Sequence, residues 1–176
     1  MKKKTVFIAV AAVTAALYVA LTYLSNALGL ASGAIQFRLS EALTILPFFT
    51  PAAIPGLTIG CILANTLTGC VLADIVFGSA ATLLGAIGTY LLSRIPFCKK
   101  TKGALLCTLP PVIANVLIVP YVLRYAYGVP DAIPFMMLTV GIGEVVCCCL
   151  GGGLLLLGLK RTPLPKELSA AQEPAD

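Results

Sequence analysis

Glu144 is the strongest candidate for chemistry in this chain, because it stands in a long apolar segment. A lone carboxylate at membrane depth needs a partner, a proton or a ligand. Gly141 lies one helical turn away on the same face and leaves space beside it. Ligand contact is one interpretation, and a structural pair or a proton site is the other. The chain has no histidine, so the commonest metal ligand and proton shuttle is missing.

The other candidate residues are polar side chains near the ends of apolar segments, where they would share the outer side of a membrane. Carboxylates accept hydrogen bonds from N–H groups, amides donate and accept, and tyrosines offer flat apolar surface. Such a set suits a small planar solute, for example a guanine-like ring that carries an amine. The predicted substrate-binding residues are Glu144, Asp74, Asn115, Asn65, Gln36, Arg38, Glu41, Tyr121, Arg124 and Tyr125.

Some of these residues have a structural explanation as well. Arg38 and Glu41 are three residues apart, so they could simply pair with each other. Asp74 could cap the helix that it opens, where a carboxylate suits the N-terminal dipole.

The tyrosines could equally form an interfacial belt, which is the better explanation for Tyr127. Tyr121 and Tyr125 are four residues apart, so they would share a helical face and could stack on a flat ligand.

The composition predicts an all-α integral membrane protein. Of 176 residues, 59% are hydrophobic and 11% are charged, whereas soluble domains carry about a quarter charged residues. A spanning helix needs about 20 residues, so the length allows six spans and no separate catalytic domain. The chain lacks a G-x-x-x-x-G-K-[ST] phosphate loop, so an ATP-driven mechanism would need ATPases on other subunits.

Six transmembrane helices are predicted in a domain of residues 1–160, followed by a polar tail of residues 161–176. The spans lie near residues 5–24, 40–49, 52–70, 74–93, 104–123 and 133–159. Six spans put ten of the twelve basic residues on the side of the two termini, and only Arg38 and Arg124 on the other. Positive residues favour the inside, so both termini are predicted in the cytoplasm. This placement explains the net charge of +5 without nucleic acid.

Small residues and prolines predict how the helices pack. Glycine or alanine recurs at positions 56, 60 and 64, which predicts close contact within the bundle. A second stripe could pack inside or dock an outside partner, and it consists of Ala12, Ala16 and Ala20. Pro110 and Pro111 interrupt the fifth span and would mark a kink or a pocket wall. The seven cysteines are interpreted as small fillers, with a metal or disulfide role as the alternative.

Residues 35–43, which read IQFRLSEAL, resemble the QueT family of substrate-binding subunits from energy-coupling-factor importers. The likeness continues through Asn65, the DIVFGS stretch at 74–79 and the Gly143-Glu144 region, and it covers about residues 5–160. It implies a six-helix fold that holds its solute near the outer face under three loops. Glu144 and Asp74 would bind the base edge or an amine, and Gln36, Asn65 and Asn115 would complete the hydrogen bonds.

The resemblance also implies partners and cargo. The alanine stripe would dock a transmembrane scaffold subunit joined to two ATPases, and the binding subunit would topple in the lipid bilayer to deliver its solute. The presumed cargo is a queuosine precursor, meaning a 7-deazaguanine base such as the aminomethyl form, preQ1, or queuine. The chain itself would carry no cofactor, since ATP would be used by the partner subunits.

Three other functions compete with this one. The first is a capture subunit for another vitamin or a purine-like solute. The second is a stand-alone proton-coupled transporter with Glu144 as the proton carrier, against which no second buried acid makes a clear relay. The third is an intramembrane enzyme, for which no nucleophile–base pair with a histidine is available.

Overall fold

The computed structural model describes residues 3–30 and 36–163, and these ranges contain helices and turns but no strand. Most of the predicted polar tail, from residue 164 onward, lies outside them. The α-helices in chain order are α1 (Lys3–Ala27), α2 (Ala53–Leu67), α3 (Leu72–Ser93), α4 (Pro96–Lys99), α5 (Thr101–Ala104), α6 (Leu109–Tyr125), α7 (Ile133–Glu144) and α8 (Gly152–Lys160). Two 3₁₀ helices (Leu39–Phe48 and Leu105–Thr108) and a π-helix (Val145–Gly151) complete the fold.

Four helical stretches within the described ranges are long and apolar enough to cross a membrane, namely Lys3–Ala27, Leu72–Ser93, Leu105–Tyr125 and Ile133–Lys160. The segments at the second and third predicted spans are apolar but shorter, at 10 and 15 residues. At 1.5 Å per residue, α2 covers roughly 22 Å of a hydrocarbon core of about 30 Å. The result is a helical, multi-pass membrane architecture.

The second predicted span is a 3₁₀ helix in the middle of the bundle. Six of its ten residues are buried, including Ser40, Glu41 and Thr44. Backbone that departs from α-helical geometry is tolerated at membrane depth where protein surrounds it. Its ten residues therefore cross the interior of the protein rather than a lipid-facing surface.

The glycine-rich stripe of α2 packs against α1, which confirms the predicted contact within the bundle. A Cβ atom on Gly56 would lie 2.6 Å from the Ala11 carbonyl oxygen, and one on Gly60 would lie 2.8 Å from the Cβ atom of Tyr18. Ala64 is fully buried in the same contact region. These two helices approach so closely that only small residues fit between them.

The alanine stripe lies on the outer surface of the bundle. Ala12, Ala16 and Ala20 are exposed, and they line an apolar groove between α1 and α2. This α1–α2 groove also includes Ile59, Leu63 and Leu67 of α2. Of the two placements that the sequence allows, the outward one is observed.

The two adjacent prolines lie at the start of α6, directly after the second 3₁₀ helix. A Cβ atom on Gly85 would lie 2.7 Å from the Cα atom of Pro111, and one on Gly88 would lie 2.6 Å from the Cβ atom of Pro110. The prolines therefore begin the helix and pack closely on α3. This close contact fixes the wall of α6 that carries Asn115.

Candidate functional site

Polar side chains converge on one largely enclosed cavity between the first 3₁₀ helix, α3, α6 and α7. Six of the ten predicted substrate-binding residues line it: Gln36, Arg38, Glu41, Asp74, Asn115 and Glu144. The remaining lining residues are Gly78, Thr82, Val119, Leu123 and Val140. The cavity therefore combines acceptors and donors with apolar flanks.

Residues four apart on each helix supply this lining, because such residues share one helical face. On α3 the stripe runs Asp74, Gly78 and Thr82, and α7 contributes Val140 and Glu144. The π-helix begins directly after Glu144. Extra π turns inside α-helices are frequent at functional sites.

The cavity is narrow, with a volume of about 40 Å³. A water molecule needs roughly 10–15 Å³ on this measure, so there is room for about three. A fused two-ring base is larger than that. Binding such a base therefore requires lining side chains or helix ends to move outward.

Glu41 lies beside Glu144 in the part of the cavity that is named the inner end after the predicted topology, and it is held by Tyr18, a residue that sequence reasoning missed. The Tyr18 hydroxyl donates a hydrogen bond to Glu41 Oε1. Tyr18 is fully buried, and Glu41 is 2% exposed. The other carboxylate oxygen, Glu41 Oε2, is buried and has no hydrogen-bond partner among the described residues.

Glu144 is 8% exposed and lies beside Glu41. The Cys148 thiol donates to Glu144 Oε2 at 3.2 Å. Glu41, Glu144 and Cys148 each offer an atom within 4.8 Å of the others, close enough to hold a cation. The sequence alone identified no second buried acid that would make a clear relay with Glu144, and Glu41 is such a buried acid beside it.

Arg38 and Glu41 each have another partner, so the alternative that they simply pair with each other does not account for them. Arg38 donates to Asn65 Oδ1 at 2.7 Å. The Asn65 amide nitrogen lies 3.4 Å from the Asp74 carbonyl oxygen, to which it donates. Asn65 does not line the cavity itself, and its hydrogen bond holds the Arg38 side chain that does.

Asp74 lies in the first turn of α3, at the end of the cavity that is named the outer end after the predicted topology. The Tyr127 hydroxyl donates to Asp74 Oδ2 at 3.0 Å and accepts from the backbone N–H of Val71 at 3.4 Å. Partial burial, followed by the nearby Asp74 carboxylate, raises the pKa of Tyr127 above its ordinary value. Tyr127, which the sequence assigns to an interfacial belt, therefore stays a protonated donor at this end of the site.

The remaining three predicted residues lie away from the polar cavity. Tyr121 and Tyr125 do share a face, but they are 45% and 77% exposed and line an apolar groove beside Phe77 of α3. Arg124 is exposed and donates to the Val129 carbonyl oxygen at 3.0 Å. The structure thus does not join these side chains to the acids and amides.

A family model described as the QueT transporter matches residues 8–161. The chain belongs to the QueT transporter family. This confirms the resemblance of the sequence motifs, and the matched range contains every residue that lines the cavity. Membership indicates a role in transport and not in catalysis.

The chain is also similar to the queuosine precursor transporter QueT of Lactococcus lactis subsp. cremoris (strain MG1363). The two are 38% identical over 94 residues, which cover 53% of this chain and 55% of that protein. The match therefore spans about half the length of the relative. No solved structure matches the chain.

Proposed function

We propose that this chain is the substrate-binding subunit of an energy-coupling-factor importer and that it captures a queuosine precursor, a 7-deazaguanine base such as the aminomethyl form or queuine. The observation that carries the proposal is the polar cavity enclosed in an otherwise apolar bundle. The name of the Lactococcus lactis relative supports the same class of solute.

The lining residues offer the groups that a deazaguanine ring needs. A carboxylate can accept the adjacent N–H donors of the guanine edge, the Arg38 guanidinium can donate to its carbonyl oxygen, and the Asn115 amide can do both. Val119 and Leu123 of α6 flank this polar set and can cover the flat ring faces.

The proposed topology has six spans in the bacterial plasma membrane, with both termini in the cytoplasm. It is supported by the ten basic residues that six spans collect on one side. In this orientation Asp74 and Tyr127 lie toward the outside, so the cavity would be loaded from that face.

Partner subunits would supply the energy. The α1–α2 groove is an exposed apolar surface, and such surfaces of a membrane protein can pack against another helix. We assign the alanine stripe (Ala12, Ala16 and Ala20) to the transmembrane scaffold subunit, which would join two ATPases. Toppling of the loaded subunit would deliver the solute.

The proposal is tested by binding and uptake together. Purified chain should bind 7-aminomethyl-7-deazaguanine or queuine in the nanomolar to micromolar range, with guanine and common vitamins as comparison ligands. Cells should take up the base when the scaffold and ATPases are co-expressed with this chain. Binding of a vitamin in preference to every deazaguanine would contradict the assignment of the solute.

A stand-alone proton-coupled transporter is the second candidate, favoured by the proximity of Glu41 to Glu144. Two neighbouring buried carboxyls can carry one proton between them. Uptake by the chain expressed without any ATPase, abolished by a proton uncoupler, would establish this function instead.

A further inference from the structure

The two buried carboxyl groups at the inner end of the cavity, when both are ionised, carry more negative charge than the one cationic side chain of the same cavity can balance. Glu144 lies eleven residues after the start of α7, roughly 16 Å along the helix at 1.5 Å per residue. At this depth Glu41 and Glu144 contribute two carboxylates. Arg38 contributes one guanidinium to the same cavity. The inner group is therefore one positive charge short when both acids are ionised.

Asp74 does not belong to this inner group. It lies at the outer end, half-buried, where the Tyr127 hydroxyl donates to it and the N-terminus of α3 favours a negative charge. Glu41 Oε2, by contrast, is buried without a hydrogen-bond partner in the described part of the chain. Burying a carboxylate oxygen without a partner costs free energy. Glu41 Oε2 can therefore accept a hydrogen bond from a cationic N–H donor.

We infer that Glu41 and Glu144 form a subsite for the ammonium group of a cationic solute, with Glu41 Oε2 accepting one of its N–H donors. The inference rests on the proposed function, because the ring of that solute would occupy the rest of the same cavity. A primary ammonium carries a single positive charge and three donors, which matches the missing charge. The subsite formed by Glu41 and Glu144 would therefore select a base with a protonated amine over a neutral base of the same ring.

A divalent metal is less well matched to these residues. Cys148 donates its thiol hydrogen to Glu144, whereas a thiolate would be needed as a metal ligand. Glu41 Oε1 is already occupied by the Tyr18 hydroxyl. A monocation needs neither of those contacts to break.

The inference is tested by isothermal titration calorimetry on the purified full chain with two bases that share one ring. 7-Aminomethyl-7-deazaguanine carries a protonated amine at neutral pH, and 7-cyano-7-deazaguanine is neutral. The amine should bind at least tenfold tighter. Glu41→Gln and Glu144→Gln should each remove most of this preference, while the matched control Asp74→Asn should weaken both bases and leave their ratio unchanged.

Each outcome is decisive. Equal affinity for the two bases would overturn the subsite and leave the proposed function standing. If neither base binds, the proposed function fails and the subsite fails with it. Micromolar or tighter Zn²⁺ or Mn²⁺ binding in the absence of a base, lost in Glu41→Gln, would make this a metal site instead. If the Gln variants do not fold, as judged by size-exclusion chromatography, the ratio of affinities in the unaltered chain decides.

Discussion

Replacing Gly78 with alanine should weaken ligand binding while leaving the protein folded. Gly78 lines the cavity on α3, and a Cβ atom there would lie 3.1 Å from Asp74 Oδ1 and 3.2 Å from Asn65 Nδ2. Both distances are shorter than ordinary contacts, so these two polar groups must shift by a few tenths of an ångström. Because Asp74 lines the cavity and Asn65 holds Arg38, the shift displaces groups proposed to bind the solute.

Gly78→Ala has two opposing effects on the free energy of unfolding and a separate effect on ligand affinity. Alanine in a helix gains about 0.5–1 kcal/mol over glycine, and crowding in a packed interior costs about 1–3 kcal/mol. The free energy of unfolding should therefore fall by no more than about 2.5 kcal/mol, and by about zero if the two effects cancel. Binding of the base should weaken by at least about tenfold, which corresponds to about 1.4 kcal/mol.

The measurement pairs calorimetric titration of the base with thermal unfolding in detergent. Gly141→Ala is the matched control, because its Cβ atom would meet only Val116, at an ordinary contact distance of 3.4 Å. It should bind like the unaltered chain. Unchanged affinity in Gly78→Ala would refute the reasoning that the cavity beside α3 holds the solute.

Three further substitutions test single side chains. Glu144→Gln should weaken binding of the base more than tenfold, or by about 1.4 kcal/mol, and unchanged affinity would remove Glu144 from the site. Tyr18→Phe removes the hydroxyl that donates to Glu41, so it should lower the free energy of unfolding by about 1.5–3 kcal/mol; an unaltered melting temperature would contradict this role. Tyr127→Phe removes an exposed hydrogen bond to Asp74 worth about 0.5–1.5 kcal/mol, so dissociation of labelled base should accelerate about two- to tenfold, and an unchanged rate would show that Tyr127 does not hold the outer end.

Periodicity predicts which residues share a helical face, and that part of the site could be obtained from the sequence. The scarcity of polar groups identified Glu144, Asp74 and Asn115, and the structure brings all three to one cavity. The same rule also excludes Tyr121 from the cavity. Tyr121 lies six residues after Asn115, so it projects from the helix at an angle about 240° away from Asn115. The sequence prediction grouped polar residues by their depth in the membrane and not by their angle around the helix axis, which is why it included Tyr121.

Contacts between helices could not be obtained in this way. The hydrogen bond between Tyr18 and Glu41 joins residues 23 positions apart, and no local pattern encodes such a pairing. The signal that was available is weaker: a buried tyrosine hydroxyl usually finds a partner. The 3₁₀ geometry of Leu39–Phe48 was likewise hidden, because it depends on the neighbours that surround the segment.

Helix α2 belongs both to the site and to the outside of the bundle. Asn65 on one face holds Arg38, while Leu63 and Leu67 on the other face form part of the α1–α2 groove. If Arg38 moves to admit a base, the hydrogen bond to Asn65 pulls on α2, and a shift of this short helix as a unit would also displace these leucines. The empty and the loaded protein would then differ in their lipid-facing contour, and a neighbour resting there could sense occupancy without touching the cargo.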